Sequence, residues 1–382
     1  MRILCADIGT GTQDILLYDS RVDIENGFKL VVPSPTMMVH RRLKALTRSG
    51  EDVLLSGLTM GGGPSQWAVE GHIAAGNQVF ATPDAARSFN DDLDVIREMG
   101  IEVVSEDEAA ALPEAVVRLE LRDFDFPAIA QAFAQFGVSL DDLTAVAVAV
   151  FDHGDAPPDY SDRQFRFDYI AERIRANSQL STFAFKGEEI PPIMTRLQAV
   201  ANSAQGIDAP LVVMDTAPAA VLGAMLDNRV RQRERVVIAN IGNFHTLAFR
   251  LGSGDIEGVF EHHTGMLDQA KLERLITALA DGTLSHAEVF ADHGHGAQIN
   301  HAEPLTIVQD GFGAVVTGPR RAMMQGSRLQ PYFATPFGDM MLAGCYGLLA
   351  GVAGVLPEIG APIRASLRGE GGSGTPPWEL ES

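Results

Sequence analysis

The sequence predicts an α/β protein built from two similar domains around a shared cleft. Strand-like runs alternate with helical patterns along the chain, which is typical of α/β proteins. Several of these runs are continuous in Val, Ile, Leu and Ala, as in sheet centres covered on both faces. A strand–glycine–strand unit also occurs twice, 233 residues apart, starting at Cys5 and at Ile238.

The predicted elements follow from apolar periodicity and fill most of the chain. Strands are expected at RILCADI, DILLYD, DVLLSGL, TAVAVAVFD, APLVVMD, RVVIANI and FHTLAFRL. Helices are expected at Asp125 to Phe136, Ala217 to Asn228 and Leu267 to Ala280. A length of 382 residues suits two domains. We expect domain I at 1–205, completed by a helix near 338–356, domain II at 206–337, and a disordered tail at 366–382.

Composition and charge exclude several classes of function. A formal net charge of −21 disfavours nucleic-acid binding and docking on anionic membrane, because both need clustered Lys and Arg. The run MMLAGCYGLLAGVAGVLP is long enough to span a bilayer, but its small residues suit close packing in a core. No leader segment is expected, so the protein is expected in the cytoplasm. Cys5 and Cys345 lie in apolar runs and are expected in the core.

The repeated unit aligns CADIGTGTQDILLY with IANIGNFHTLAFRL. Asp7 falls on Asn240, and Gly9 falls on Gly242. Two unrelated hairpins with glycine turns can share this pattern, so duplication and chance similarity both stay open. If the unit is duplicated, one loop from each half faces a common cleft.

The first glycine loop differs from two common phosphate-binding loops. It lacks the GxxxxGK[ST] motif, and Asp14 stands where GxGxxG needs its third glycine. A strand, ILLYD, follows it, whereas both of those loops lead into a helix. A hairpin turn would instead offer backbone N–H groups and hydroxyls to phosphate, from Gly9, Thr10, Gly11 and Thr12. Asp7 would face the same cavity and suits a Mg²⁺ ion held through water.

DIGTGTQDILLYD resembles the first phosphate loop of the actin-like ATPase superfamily. This superfamily includes sugar kinases, seventy-kilodalton heat-shock chaperones and activators of radical dehydratases. Four further segments resemble its second phosphate loop, first connecting helix, adenosine turn and second connecting helix, in that order: VVIANIGNFHTLAFRL, MDTAPAAVLGAMLDN, GAVVTGPRRAM and FGDMMLAGCYGLLAG. The resemblance implies two ribonuclease H-like domains closing on Mg-ATP. Gly242, Asn243 and His245 would bind phosphate from the second side, with Gly318 near adenosine.

Within the superfamily, the combination of DIGTGTQD, FDHG, IGNFHT and EHHTG resembles one family. Its members carry a label of similarity to pyruvate formate-lyase activating enzyme. That radical chemistry requires a cluster-binding cysteine triad such as CxxxCxxC, and this chain has two cysteines. A radical activating enzyme is therefore not expected.

Three polar residues bear on catalysis. Asn240 occupies the position of an acid in active superfamily members, and an amide cannot act as a base or balance magnesium charge. Asp215 ends an apolar strand, so it is either a helix N-cap or a catalytic acid. Asp152 ends the run AVAVAVFD at a position that favours ligands, so it is either the general base for a substrate hydroxyl or a turn acid.

Two further clusters leave alternatives open. The stretch FADHGHGAQINH could place His293 and His295 on one side of a strand as ligands of a transition metal, or it could be solvated loop. Gly61 to Gly63 permit close backbone approach to a ligand, or form a flexible turn. The helix starting at Pro64 would follow them.

The leading hypothesis is an ATP-binding phosphotransferase or ATPase acting on an unidentified small substrate. The alternative is a non-catalytic nucleotide or metal sensor that regulates a partner protein through domain closure. A homodimer is compatible with either hypothesis.

Overall fold

The computed structural model describes residues 1–306, 313–372 and 376–379. The strands in these residues are β1 (Arg2–Ile8), β2 (Thr12–Asp19), β3 (Phe28–Pro33), β4 (Val53–Gly57), β5 (Val79–Ala81), β6 (Glu102–Val103), β7 (Val117–Leu121), β8 (Ala145–Val150), β9 (Ala184–Lys186), β10 (Leu211–Asp215), β11 (Arg235–Ile241), β12 (His245–Gly252), β13 (Asp255–His263), β14 (Gly296–Ile299), β15 (Val315–Thr317) and β16 (Tyr332–Phe333). The helices are α1 (Pro35–Ser49), α2 (Pro64–Ala74), α3 (Pro83–Ala86), α4 (Leu93–Glu98), α5 (Glu106–Ala111), α6 (Phe126–Ala134), α7 (Asp162–Ala176), α8 (Thr195–Ser203), α9 (Thr216–Ala224), α10 (Gln269–Ala280), α11 (His286–Ala291), α12 (Ala343–Val355) and α13 (Pro357–Leu367).

Two six-stranded sheets share the order and direction of five strands. Their strand orders are β3-β2-β1-β8-β10-β9 and β14-β13-β12-β11-β15-β16. In the first sheet β1, β2 and β3 are antiparallel neighbours, while β8 and β10 run parallel to β1. In the second sheet β11, β12 and β13 repeat the antiparallel part, and β15 and β16 repeat the parallel part. The five shared strands confirm the duplication and the predicted pair of ribonuclease H-like domains.

The predicted elements form where periodicity placed them. All seven strand-like runs contain or form strands, and the three helical patterns overlap α6, α9 and α10. The run of Ala and Val in β8 is buried along its whole length, as expected for a central parallel strand. Side chains that accept hydrogen bonds from backbone N–H groups cap the N-termini of several helices. For example, Ser34 Oγ accepts a hydrogen bond from Met37 N at the start of α1.

The structure adds detail at the predicted domain boundaries, which stay predictions. β10 follows the boundary at 205–206 but belongs to the first sheet, because it pairs in parallel with β8. The predicted tail begins inside α13, and its residues 373–375 and 380–382 lie outside the described part of the chain.

The two connecting helices, α9 and α12, cross in backbone contact. A Cβ on Gly223 would lie 1.7 Å from Ala343 O, and a Cβ on Gly347 would lie 1.8 Å from Ala219 O. Any side chain at either glycine would therefore force the helices apart.

The long apolar run of the sequence forms α12 at this crossing. Within the described residues, no helix has both the length and the apolar character needed to cross a bilayer.

A third sheet lies between β3 and β8 in the chain, with the order β6-β5-β4-β7. All of its strand pairs are parallel, and helices α1 to α5 accompany it. One of its strands, β4, corresponds to the predicted run DVLLSGL. The turn after β4 carries Gly61 to Gly63 to the wall of the cleft described next.

Candidate functional site

A cavity of about 250 Å³ lies between the two main sheets. Residues of both hairpin turns, of the third-sheet insertion and of the two connecting helices line it. Sequence-predicted residues on its wall are Asp7, Gly9, Thr10, Gly11, Thr12, Asp152, Asn240, Gly242, Asn243, His245 and Gly318. The structure therefore brings most of the predicted site residues together, although their roles stay predictions.

The two hairpin turns have matching geometry. Gly9 N donates to Thr12 O at 2.9 Å, and Gly242 N donates to His245 O at 3.0 Å. The turns also approach each other closely, since Asn243 Nδ2 lies 2.9 Å from the position of a Cβ on Gly11. Glycine at position 11 thus permits the two halves to meet over the cavity.

Asp7 lies at the floor of the cavity where α9 and α12 begin. Its Oδ1 accepts a hydrogen bond from Thr216 Oγ1 at 2.5 Å. A Cβ on Gly344 would lie 1.8 Å from Asp7 Oδ2, so the first turn of α12 packs directly on this carboxyl group. Burial raises the pKa of Asp7 to about 7, with Thr216 opposing the shift and Asp215 adding to it.

Asp14 is a second buried acid that the sequence analysis did not assign to the site. It stands opposite Asp7 in the register of β1 and β2. Its Oδ1 has no hydrogen-bond partner among the described residues. Burial, followed by the charge of Asp7, raises the pKa of Asp14 to about 8. Two buried carboxyl groups with an unpartnered oxygen form a donor set of the type that Mg²⁺ prefers.

We expect Asp14→Asn to stabilise the metal-free protein at pH 8 more than at pH 4. The pKa of Asp14 rises from 3.8 to about 8 on folding, so the folded state holds the proton more tightly than the unfolded state does. The stability that this protonated carboxyl group contributes is fully present below pH 3.8 and is lost as pH rises through about 8. Removing the charge should add at least about 1.4 kcal/mol at pH 8, the value of one pKa unit.

Urea unfolding in chelator at both pH values measures this difference. Asp94→Asn changes an exposed carboxylate and should shift stability by less than about 0.5 kcal/mol at either pH. An equal effect of Asp14→Asn at pH 4 and pH 8 would contradict the assignment.

Asp152 and Asp215 are both held by several hydrogen bonds. The two oxygens of Asp152 accept from Gly154 N and Leu197 N, each at 2.8 Å. Asp215 Oδ1 accepts from Ala217 N at 3.1 Å, so it caps α9 as one of its two interpretations proposed. The general-base role of Asp152 and the catalytic role of Asp215 stay predictions.

Arg166 joins the two halves of the molecule behind the cavity. Its side chain is 2% exposed and extends from α7 of the first half. Arg166 Nε donates to both oxygens of Glu261 on β13, at 2.9 and 3.0 Å, and Nη1 donates to Asp215 Oδ2 at 2.8 Å. The guanidinium lies 3.7 Å from the centre of the Phe151 ring. Arg166 was not among the predicted site residues, because it lies in a helix rich in charged residues.

The third-sheet insertion forms one side of the cleft. Phe244, in the second hairpin turn, packs on Gly63 and lies 5.6 Å from Trp67 between ring centres. Asp91 faces the cavity from the same side, and burial together with neighbouring aspartates raises its pKa to about 6. The Gly61 to Gly63 segment is thus part of the cleft wall, and its close approach to a ligand stays a prediction.

The predicted pairing of His293 with His295 is wrong. The pairing required a strand, but His293 lies in a turn before β14 with a φ of 63° and is exposed. His295 is completely buried. It lies instead beside His153 and His245, two histidines on the cavity wall.

Comparison with solved structures finds several proteins that are similar to this chain. The "Activator of the 2-Hydroxyisocaproyl-CoA Dehydratase from Clostridium difficile with bound ADPNP" is 11% identical, with 91% of this chain and 92% of that chain covered and a TM-score of 0.32. A propionate kinase from Francisella tularensis is 8% identical (67% and 56% covered, TM-score 0.23). An exopolyphosphatase from Cytophaga hutchinsonii is 11% identical (72% and 53% covered, TM-score 0.23). The chain spans about half the length of the last two proteins.

The search of curated proteins gives no match. The family described as "Putative pyruvate format-lyase activating enzyme (DUF1786)" matches residues 60–323, which is more than half of the chain. Cys5 and Cys345 are both buried, and two cysteines are fewer than a three-cysteine cluster motif needs. The match confirms the resemblance inferred from the sequence motifs: the chain belongs to the family that carries this description.

Proposed function

We propose that the protein binds Mg-ATP in the cleft and transfers a phosphoryl group to a small hydroxylated or carboxylated substrate or to water. The observation that carries this proposal is the pair of matching hairpin turns that close on each other above a buried acid. Because Gly9 N and Gly242 N close their turns, the backbone N–H groups that follow them, at Thr10, Gly11 and Asn243, would bind the phosphates from opposite sides. Gly318, with a φ of 91° after β15, would lie near the adenosine.

Asp7 and Asp14 would hold the magnesium ion, because their buried carboxyl groups and the unpartnered Asp14 Oδ1 suit an oxygen-binding cation. The ion, when bound, would neutralise part of the negative charge of the phosphates. Thr216 fixes the orientation of Asp7 through its 2.5 Å hydrogen bond. Positioning by the two turns would provide the remainder of the rate enhancement.

The acceptor substrate would occupy the part of the cleft between the Gly61 to Gly63 segment and β8. This part is lined by Asp91, Arg87 and Arg196. Arg196 is held in place by two hydrogen bonds to Asp123, at 2.6 and 2.9 Å, so its guanidinium is preorganised. Mixed charge on this wall suits a polar substrate of small size, and the Phe244–Trp67 contact would exclude water from it.

A second candidate function is a nucleotide sensor without turnover. Asn240 supports this candidate, because the second half offers an amide where the first half offers Asp7. Both oxygens of Asp152 are engaged by backbone N–H groups, which suits a positioning role better than proton transfer. Domain closure about α9 and α12 would then transmit nucleotide binding to a partner protein.

We expect Mg-ATP to stabilise the protein and Asp7→Ala to remove that effect. At one hundred times its dissociation constant, a ligand adds about 2.7 kcal/mol to the free energy of unfolding. Asp94→Ala, at an exposed carboxylate, should keep the full stabilisation.

Urea unfolding with Mg-ATP, with ATP in chelator and with Mg-GTP measures binding, and ADP release over an hour measures turnover. Stabilisation with ADP release supports an ATPase, and stabilisation without it supports the sensor or a kinase that lacks its acceptor. If no nucleotide stabilises the wild-type protein, the proposed function is wrong.

A further inference from the structure

Three histidines from separate parts of the chain meet at one end of the cleft. His153 follows β8, His245 is the first residue of β12, and His295 immediately precedes β14. One ring nitrogen of each lies within 4.8 Å of the others. We propose that His153, His245 and His295 bind one divalent transition-metal ion of the zinc type. This site is separate from the Asp7–Asp14 site and does not depend on nucleotide binding.

The ring nitrogens of the cluster are short of hydrogen-bond partners. His295 is 0% exposed, and neither its Nδ1 nor its Nε2 has a partner among the described residues. His245 Nε2 is also buried and unpartnered within that part of the chain. A buried polar atom without a partner costs about 1–3 kcal/mol, so three such atoms in one cluster need an explanation. A bound metal ion would satisfy one nitrogen of each ring.

The rings are in the protonation state that binds metal. Burial, with the positive charge of Arg166 as the next cause, lowers the pKa of His295 far below its usual value. The pKa of His245 is likewise lowered well below its usual value by burial. Neutral imidazoles are the form that ligates a metal ion, so binding at pH 7 would release no proton from these rings.

Neighbouring groups lie against two of the three proposed ligands. The His245 ring stacks on Phe151, with ring centres 4.1 Å apart and planes at 3°. His295 Nδ1 lies 3.8 Å from Glu261 Oε1, and Arg166 holds that carboxylate in place. This distance is too long for a hydrogen bond, but the ring movement that metal binding requires would let the carboxylate accept from Nδ1, a common outer-shell arrangement that leaves Nε2 for the metal.

The spacing is compatible with zinc after small side-chain movements. Zn–N bonds of about 2.0–2.1 Å in a tetrahedral site place ligand nitrogens about 3.3 Å apart. The rings therefore need to approach each other by about 1.5 Å, which rotation about side-chain bonds can supply. Three histidine ligands leave a fourth position for water or substrate, as in catalytic zinc sites. His153 and His245 line the cleft, so that position would open toward it.

The ligand chemistry separates this site from the magnesium site. Imidazole nitrogen favours Zn²⁺ and related transition metals, whereas carboxylate oxygen favours Mg²⁺. The second hairpin turn uses the backbone oxygen of His245, so its ring remains available for the metal. The second half of the cleft would thus supply a nitrogen ligand where the first half supplies acids.

Titration of the chelator-treated, full-length protein with Co²⁺ and with Zn²⁺ tests the proposal. We expect one equivalent to bind without nucleotide, and the Co²⁺ form to develop the visible absorption of a four-coordinate site. His153→Ala, His245→Ala and His295→Ala should each weaken binding by tenfold or more. His293→Ala and His301→Ala remove exposed histidines and should bind as the wild type does.

Because His295 is buried, its replacement could disturb folding, and the exposed His153 provides the decisive variant. Circular dichroism confirms that each variant is folded before titration. The proposal is overturned if the wild type binds no equivalent, if folded His153→Ala binds like the wild type, or if His293→Ala loses binding to the same degree. Failure of Mg-ATP to stabilise the protein would leave these results unchanged, so the two proposals fail independently.

Discussion

Replacing Arg166 by methionine is expected to lower the free energy of unfolding by about 3–5 kcal/mol. Arg166 is the shared partner of Glu261, which is 0% exposed, and of Asp215. Its removal leaves two buried carboxylates without their counter-ion, and breaking a buried ion pair in this way is among the most destabilising single changes. Because Arg166 connects α7 to β13, the variant should also loosen the contact between the two halves.

Equilibrium unfolding in urea measures this cost. Arg97→Met is a matched control, since Arg97 forms an exposed ion pair with Asp94, and it should cost no more than about 1 kcal/mol. The double variant Arg166→Met with Glu261→Gln should lose less than the sum of the single variants, because one uncompensated charge is removed. Equal costs for Arg166→Met and Arg97→Met would mean that the buried network does not stabilise the fold.

Gly347→Ala is expected to cost about 2–3 kcal/mol, the upper part of the usual range for overpacking. The added Cβ would lie 1.8 Å from Ala219 O and 3.0 Å from Gly223 N, and both atoms belong to the backbone of α9. Backbone within a helix cannot move aside as a side chain can. The two connecting helices would have to separate, and the loops above Asp7 would move with them.

Gly351→Ala provides a control in the same helix. A Cβ there would meet Ala184 and Met214 at ordinary contact distances of 3.4 and 3.5 Å. Alanine is favoured over glycine within a helix by about 1 kcal/mol, so this variant should be neutral or more stable. If Gly347→Ala and Gly351→Ala have the same thermal unfolding temperature, the helix crossing does not constrain the structure.

The fold could be predicted because its signals are local. The buried strands are continuous apolar runs, and the glycine turns follow them directly, so both halves of the duplication are readable from short segments. The third sheet was largely missed because its strands are short. β5 has three residues and β6 has two, too few for a periodic pattern.

The site was predicted in part, for a similar reason. Asp7 and Gly242 adjoin recognisable strands, whereas the ion pairs of Arg166 and the three-histidine cluster unite residues that are far apart in the chain. The pairing of His293 with His295 failed because sequence proximity was taken for spatial proximity. Asp14 could have been found, since a two-stranded hairpin of known turn length fixes its position opposite Asp7.

The matching turns have a consequence for how a ligand is oriented. Two halves that share the order of five strands and the same turn offer similar backbone groups to a ligand, so the backbone alone could accept a phosphate chain in either direction. The side chains of the two halves differ, and this difference distinguishes the two directions. Asp7 and Asp14 pair in the first half, while Asn240 and Leu247 stand at the corresponding positions of the second. If Asp7 and Asp14 hold the cation as proposed, the cation end of the ligand would therefore have one favoured direction in the cleft.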